Sequence, residues 1–352
     1  MKNRVQSLDY LRGLAAFSIM VYHYFTWSSY KLGADTFAGR TGIYGVSVFY
    51  VLSGLTLFIV YNNSLSPQNT GHYFVKRIFR IFPLLWLSIF VSVVLLNFKT
   101  NLSDLLLNLT GLFGFFAPDH YIAVASWSIG NELVFYTIFP LVIFSGRKTQ
   151  FAPVLFFALA AGLALFFAYS VLATNLTLKM QWSHYLNPLN QLVLFSGGML
   201  CGQLLAGKKA PLPYALLLLA SALLLFVFYP VKGDLSALIA GNNRIIFVLL
   251  SLAITASFLM IDFKTGKITG YVLSTLGEAS YSVYLLHPLV FLMLKKYAGF
   301  SNHKTLIYTG FAITLLLSIL VYHFYEKPFI RLGQRLIDHW KQKQSYAMRV
   351  QK

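Results

Sequence analysis

Apolar residues in this chain come in long blocks rather than in the short alternations of a soluble fold. A spanning helix needs about 20 mostly apolar residues. Ten stretches meet that length: 8–30, 42–61, 78–97, 125–145, 151–172, 187–206, 212–230, 243–262, 275–295 and 305–326. The pattern predicts an all-α polytopic membrane bundle of about ten transmembrane helices. A further stretch, LSDLLLNLTGLFGFFAPDHY at 102–121, is broken by Asp104, two glycines and Pro118, which predicts a short interfacial or re-entrant piece. Ten spans put both termini on one face. With the N-terminus inside, most of the 28 Lys and Arg fall on inner segments, in keeping with the positive-inside rule, so both termini are expected to be cytoplasmic. No internal repeat is visible. Residues 1–332 read as one transmembrane domain and 333–352 as a short basic cytoplasmic tail.

Composition sharpens this reading. The 352 residues are 57% hydrophobic and only 11% charged, against about 25% charged in a soluble domain. The net charge of +18 would point a soluble protein toward nucleic acid. Here the basic residues collect between apolar blocks, with no basic, aromatic-interleaved module, so membrane lipids are expected as partners and nucleic acid is not. The one cysteine, Cys201, cannot form an internal disulfide. Lys2 and Arg4 precede the first apolar block without a small-residue cleavage site, as in an uncleaved first span.

Chemistry is sought among polar residues that interrupt the spans, because ionisable groups there face a protein interior or a wet cavity. On the first span Asp9, Arg12, Ala16, Ile19 and His23 share a stripe about 80° wide. Asp9 and Arg12 are three apart and can pair, either as a snorkelling interfacial pair or as part of a site. His23 lies about 16 Å beyond Arg12 along the axis. That is too deep to reach water by stretching, which leaves a hydrogen-bonded packing role or a functional one. The third span opens with YFVKRIFRIFPLLW, whose Arg77 and Arg80 share a face. Two guanidinium forks so placed suit phosphate or pyrophosphate, or serve as an ordinary cytoplasmic anchor.

The fourth span carries SWSIGNELVFYTIFPLV, with Ser128, Asn131 and Glu132 clustered on one side. Glu132 has no basic neighbour in sequence, so it must be protonated, paired across helices or facing water. An arginine's structural partner and a catalytic or acceptor-binding carboxylate both fit. The predicted topology places it in the outer half, at a depth like that of His23. In LGEASYSVYLLHPLV, Glu278 and His287 fall on opposite helix faces, and Pro288 marks a kink. In FYEKPFIRL, Glu326 and Lys327 look interfacial. Gly45, Ser53 and Gly54 in GVSVFYVLSGLTLF permit close helix packing. There is no phosphate-cradling Gly-rich loop, zinc-ligand spacing or nucleophile elbow, so no tightly bound cofactor or metal is expected.

Six stretches taken in order resemble the integral-membrane acyltransferase-3 family: LDYLRGLAAFSIMVYHY, GVSVFYVLSGLTLF, KRIFRIFPLLW, SWSIGNELVFY, LGEASYSVYLLHPLV and FYEKPF. The likeness covers about residues 7–332. It implies an O-acyltransferase moving an acyl group, commonly acetyl, from acyl-CoA to a hydroxyl of a saccharide or lipid-linked glycan. The implied setting is a bacterial inner (cytoplasmic) membrane. Under this likeness Arg12 and His23 match the family's first-helix pair, Arg77 and Arg80 its paired arginines, and Glu132 the acid of its fourth block. The C-terminal esterase-like domain of some members is expected to be absent. On this likeness Arg77 and Arg80, with Arg12, would clamp the phosphates of acyl-CoA, while Asp9, Ser128 and Asn131 add substrate contacts.

On the same likeness, the donor is expected to be acetyl-CoA and the thioester to arrive beside His23. His23 would act as general base toward the acceptor hydroxyl or as a transient acyl relay. Glu132 would orient His23 or bind the acceptor. Buried His, Arg and Glu also mark the pathways of transporters. A flippase for a lipid-linked saccharide is therefore the alternative, although the repeats that favour one are not seen.

Overall fold

Close packing between helices in lipid depends on small residues that let backbones approach, and the glycines of this chain sit where its helices cross. The structure is a computed structural model that describes residues 5–149, 151–208, 210–261, 265–300 and 302–350; Lys2 and Arg4 lie outside the described residues. The first helices are α1 (Gln6–Trp27), α2 (Phe37–Tyr61) and α3 (Thr70–Phe90), the last extended by a π turn at Val91–Leu95. Two short helices follow, α4 (Leu102–Thr110) and α5 (Phe113–Phe116), then α6 (Trp127–Lys148) and α7 (Ala152–Phe166). Next come α8 (Trp182–Leu186), α9 (Pro188–Leu205), α10 (Leu212–Phe228), α11 (Ser236–Ile239) and α12 (Gly241–Met260). The chain ends with α13 (Lys267–Glu278), α14 (Ser280–Met293), α15 (His303–Val321) and α16 (Lys327–Val350). No strand occurs among the described residues.

This is an all-α membrane bundle. Six helical stretches are long and apolar enough to cross a membrane by length and composition: those of α2, α3, α6, α7 and α12, and the continuous run of α15 into α16. The other four predicted spans coincide with α1, α9, α10 and the α13–α14 pair. Each has a local reason to fall short of a plain apolar span, which for α9 is its Asn190, Gln191 and Gln203. α1 carries Asp9 and Arg12, α10 is 17 residues long, and α13 is parted from α14 at Ala279.

Two crossings hold the site-bearing helices. A Cβ at Gly13 would run into the backbone of Leu276 and Gly277, and one at Gly277 into that of Asp9, so α1 and α13 touch backbone to backbone. At the second crossing a Cβ on Gly54 would strike the Phe195 backbone and one on Gly198 the Val51 backbone, locking α2 to α9. The 102–121 segment is a pair of short helices rather than a span, turned at Gly111, whose φ of 75° is left-handed. Trp86 Nε1 donates to the Leu109 carbonyl at 2.8 Å, and Phe113 and Gly114 pack on Gly130 of α6. The described part of the predicted tail is helical and docked: Gly333 packs on Phe79, Ile337 is buried, and Trp340 stacks on His72 at 6.1 Å.

Candidate active site

Between α1, α2, α3, α6, α13, α14 and α16 lies a cavity of about 930 Å³. Asp9, Arg12, Arg77, Arg80, Ser128 and Glu132 all line it. On α2 its wall runs from Val46 to Tyr61, about 22 Å of helix axis. Three helices, α1, α3 and α6, thus bring together the residues that sequence spacing groups only within single helices.

The arginines are held by contrasting means. Arg12 Nη2 donates to Thr56 Oγ1 at 3.0 Å, and its Nη1 lies 3.6 Å from Asp9 Oδ1, so the predicted i,i+3 pair forms. The Arg77 guanidinium faces the rings of Tyr61, Tyr73 and Tyr136 at 5.7–6.0 Å, a cation–π box. Its Nε is buried without a hydrogen-bond partner. Arg80 and Arg12 act on each other as like charges, and Arg12, Arg77 and Arg80 all act on the charge of Glu132. Cations gathered around a roomy cavity make a seat for a multivalent anion.

Glu132 therefore stands with the arginines rather than beside His23. Phe113 and Gly114 of α5 pack on Gly130 in the first turn of α6. Tyr136, one turn on, donates to Glu132 Oε2 at 3.0 Å and sits 3.0 Å from Ser53 Oγ. Ser128 Oγ donates to the Tyr284 hydroxyl at 2.8 Å. Asn131 does not line the cavity. It is fully buried and its Nδ2 ties the Tyr50 hydroxyl on α2 to the Leu186 carbonyl at the end of α8, at 3.1 and 3.0 Å.

His23 is absent from the cavity wall. Phe49 and Tyr284, in edge contact at 5.7 Å, close the inner end. The Tyr284 ring is 6.0 Å from that of His287, and His23 Nδ1 lies 2.9 Å from His287 Nε2. The path expected to bring the thioester from the arginines to His23 thus meets an aromatic pair, Phe49 and Tyr284. The protonation pattern of the two imidazoles follows from their partners. His287 Nδ1 lies 3.0 Å from the Val283 carbonyl, which only accepts, so that nitrogen carries hydrogen. With both rings neutral, His287 Nε2 accepts from His23 Nδ1–H, leaving a lone pair on His23 Nε2. Trp27 stacks on His23 at 4.6 Å, fixing the ring plane.

Sequence reasoning noted His287 but could not pair it with a residue 264 positions away. It also passed over the cavity tyrosines, whose only local signal was Tyr136 one turn after Glu132. The family model described as an acyltransferase domain, Acyl_transf_3, matches residues 5–323. The chain is 28% identical over 317 residues to the exopolysaccharide production protein ExoZ of Rhizobium meliloti (strain 1021), covering 83% of this chain and 91% of ExoZ. It is 25% identical over 351 residues to BcsY of Komagataeibacter xylinus, which carries the name of a membrane-bound transacylase, covering 93% of this chain and 83% of BcsY. Nodulation protein 10 of Rhizobium leguminosarum bv. viciae is 24% identical, covering 94% and 95%. No solved structure matches.

Proposed function

This chain belongs to the Acyl_transf_3 acyltransferase family, and from that premise we propose that it transfers an acetyl group from acetyl-CoA to a hydroxyl of a cell-surface saccharide or lipid-linked glycan. The setting is a bacterial inner membrane with both termini in the cytoplasm, so that the arginine end of the cavity faces the cytoplasmic donor. The observation that carries this reading is the convergence of Arg12, Arg77 and Arg80 on one cavity whose inner end abuts the His23–His287 pair. The name of ExoZ supports a polysaccharide acceptor.

In this mechanism the donor diphosphate lies among the three guanidinium groups, and the buried Arg77 Nε–H gains the acceptor it lacks. The pantetheine arm runs along α2 toward Phe49 and Tyr284. Rotation of those two rings opens the inner end and brings the thioester to His23. His23 Nε2 takes the proton of the acceptor hydroxyl as its oxygen attacks the thioester carbonyl. The carbon–sulfur bond breaks, the thiolate leaves and the imidazolium returns the proton to it, giving ester and free coenzyme A. His287 and Trp27 hold the His23 ring in the required tautomer and plane throughout.

The test measures free thiol released from acetyl-CoA by the purified protein in the presence of saccharide acceptor. His23→Ala should lower turnover by about 10²-fold or more while the protein stays monodisperse. Undiminished turnover removes His23 from the chemistry.

A further inference from the structure

The donor site proposed above uses three arginines, yet the same cavity is lined by two further cations, Lys327 and Arg331 of α16. They are four residues apart and so present one helix face, a turn from each other. Both lie beyond residue 323, where the family match ends. α16 is not a loose tail. It runs antiparallel to α3, with the Tyr325 hydroxyl bonded to the Pro83 carbonyl at 3.1 Å just before it begins. Farther along, Gly333 lies on Phe79 and Trp340 on His72. This register sets Lys327 and Arg331 near the level of Arg80, on the wall that α16 contributes.

Their partners set them apart from the arginines on the other walls. Arg12 has Asp9, and Glu132 lies within the field of Arg12, Arg77 and Arg80. Neither Lys327 nor Arg331 forms an ion pair among the described residues, and Lys327 Nζ lies over the Tyr322 ring at 6.0 Å. Three arginines already suffice for a diphosphate. Coenzyme A bears one more phosphate, on the ribose 3′ oxygen, outside the diphosphate linkage. A second, unpaired cation cluster beside the first matches that charge distribution.

We propose that Lys327 and Arg331 recognise the 3′-phosphate of the CoA donor and make the enzyme select CoA thioesters over thioesters of carriers that lack this group. The inference rests on the acyl-CoA reading above, and its test separates the two. Purified full-length protein is assayed for thiol release with acetyl-CoA and with acetyl-3′-dephospho-CoA, as wild type and as the Lys327→Gln, Arg331→Gln double variant.

Wild type should favour acetyl-CoA by about 10-fold or more in kcat/KM, the scale of one or two charge-assisted hydrogen bonds. The double variant should lose that preference through a raised KM for acetyl-CoA, with kinetics on the dephospho donor unchanged. Wild type that does not discriminate overturns the inference without recourse to any variant. A double variant that keeps the preference, or weakens on both donors equally, also overturns it. No thiol release from either donor by wild type overturns the acyl-CoA reading together with this inference, whereas release without discrimination overturns the inference alone.

Discussion

Arg40 is buried in the bundle and Arg77 is half-buried with its Nε enclosed, and they are satisfied in opposite ways. Arg40, 2% exposed, gives its Nε to the Ala34 carbonyl and its terminal nitrogens to the carbonyls of Phe226, Val227 and Tyr229, at 2.6–2.8 Å. Three of those carbonyls lie at the C-terminal end of α10, where a helix leaves acceptors unpaired and favours positive charge. Arg40 is a cap. Arg77 has aromatic rings on its faces and a buried Nε–H with no acceptor, beside a cavity. Burial of charge therefore does not by itself separate Arg40 from Arg77, for which we propose donor binding; spare hydrogen-bonding capacity facing a cavity does. Arg244 meets only one of these conditions. It too has unpartnered nitrogens, but it packs against Tyr44 and Tyr185 away from the cavity.

Swapping the insult between the two regions should give the largest effect. Arg40→Ala strands four carbonyls at about 1–3 kcal/mol each when buried and unpaired. That total rivals a typical net stability of about 5–15 kcal/mol, so little folded protein should be recovered from detergent. Arg77→Ala combined with Arg80→Ala should yield monodisperse protein and raise the KM for acetyl-CoA by about 10-fold or more. Size-exclusion profiles and donor kinetics on both variants check the contrast. A stable Arg40→Ala protein, or unchanged donor affinity in the double arginine variant, breaks it.

The same contrast explains what could be read from sequence. Pairings within one helix were legible, because Asp9 with Arg12, Arg77 with Arg80, and Ser128 with Glu132 recur at three or four residues. The all-α membrane architecture followed from the apolar blocks, and the broken 102–121 stretch from its glycines. Pairings between helices left no local trace. Nothing near His23 announces His287, and nothing near Arg77 announces Tyr61 or Tyr136. Asn131 was grouped with Ser128 and Glu132 by face, yet one residue of helical rotation turns it toward α2 and α8. Glu132 lies within the field of Arg12, Arg77 and Arg80, a grouping across helices that the spacing within α6 does not announce.

Histidines offer a finer version of the comparison. His287 has both ring nitrogens engaged, by Val283 and His23, whereas His23 keeps Nε2 open. His287→Ala should remove the acceptor that fixes the His23 tautomer and lower kcat by about 10-fold or more, leaving the KM for acetyl-CoA unmoved. His287→Gln, whose amide oxygen can accept from His23 Nδ1–H, should recover part of the loss. Equal kcat in wild type and His287→Ala would mean that stacking on Trp27 orients His23 by itself.

The smallest effect concerns an exposed pair whose satisfaction depends on pH. His120 Nδ1, in the loop between α5 and α6, lies 2.9 Å from Asp104 Oδ1, with side chains 53% and 22% exposed. The hydrogen bond to Asp104 is the main cause that raises the His120 pKa above its ordinary value. A folded-state pKa raised in this way stabilises the structure fully below the unfolded value, and the gain is lost as pH climbs through the folded one. The 102–121 segment should therefore exchange its amide hydrogens more readily at about pH 8.5 than at about pH 5.5, after correction for intrinsic rates. The change should stay local. The buried Asn108 amide bridges the Asp104 and His120 carbonyls at 2.8 Å and accepts from the Ile122 N–H at 2.9 Å whatever the charge on His120. Asp104→Asn should abolish the pH difference, and a difference that survives this change would assign the loosening to some other titrating group.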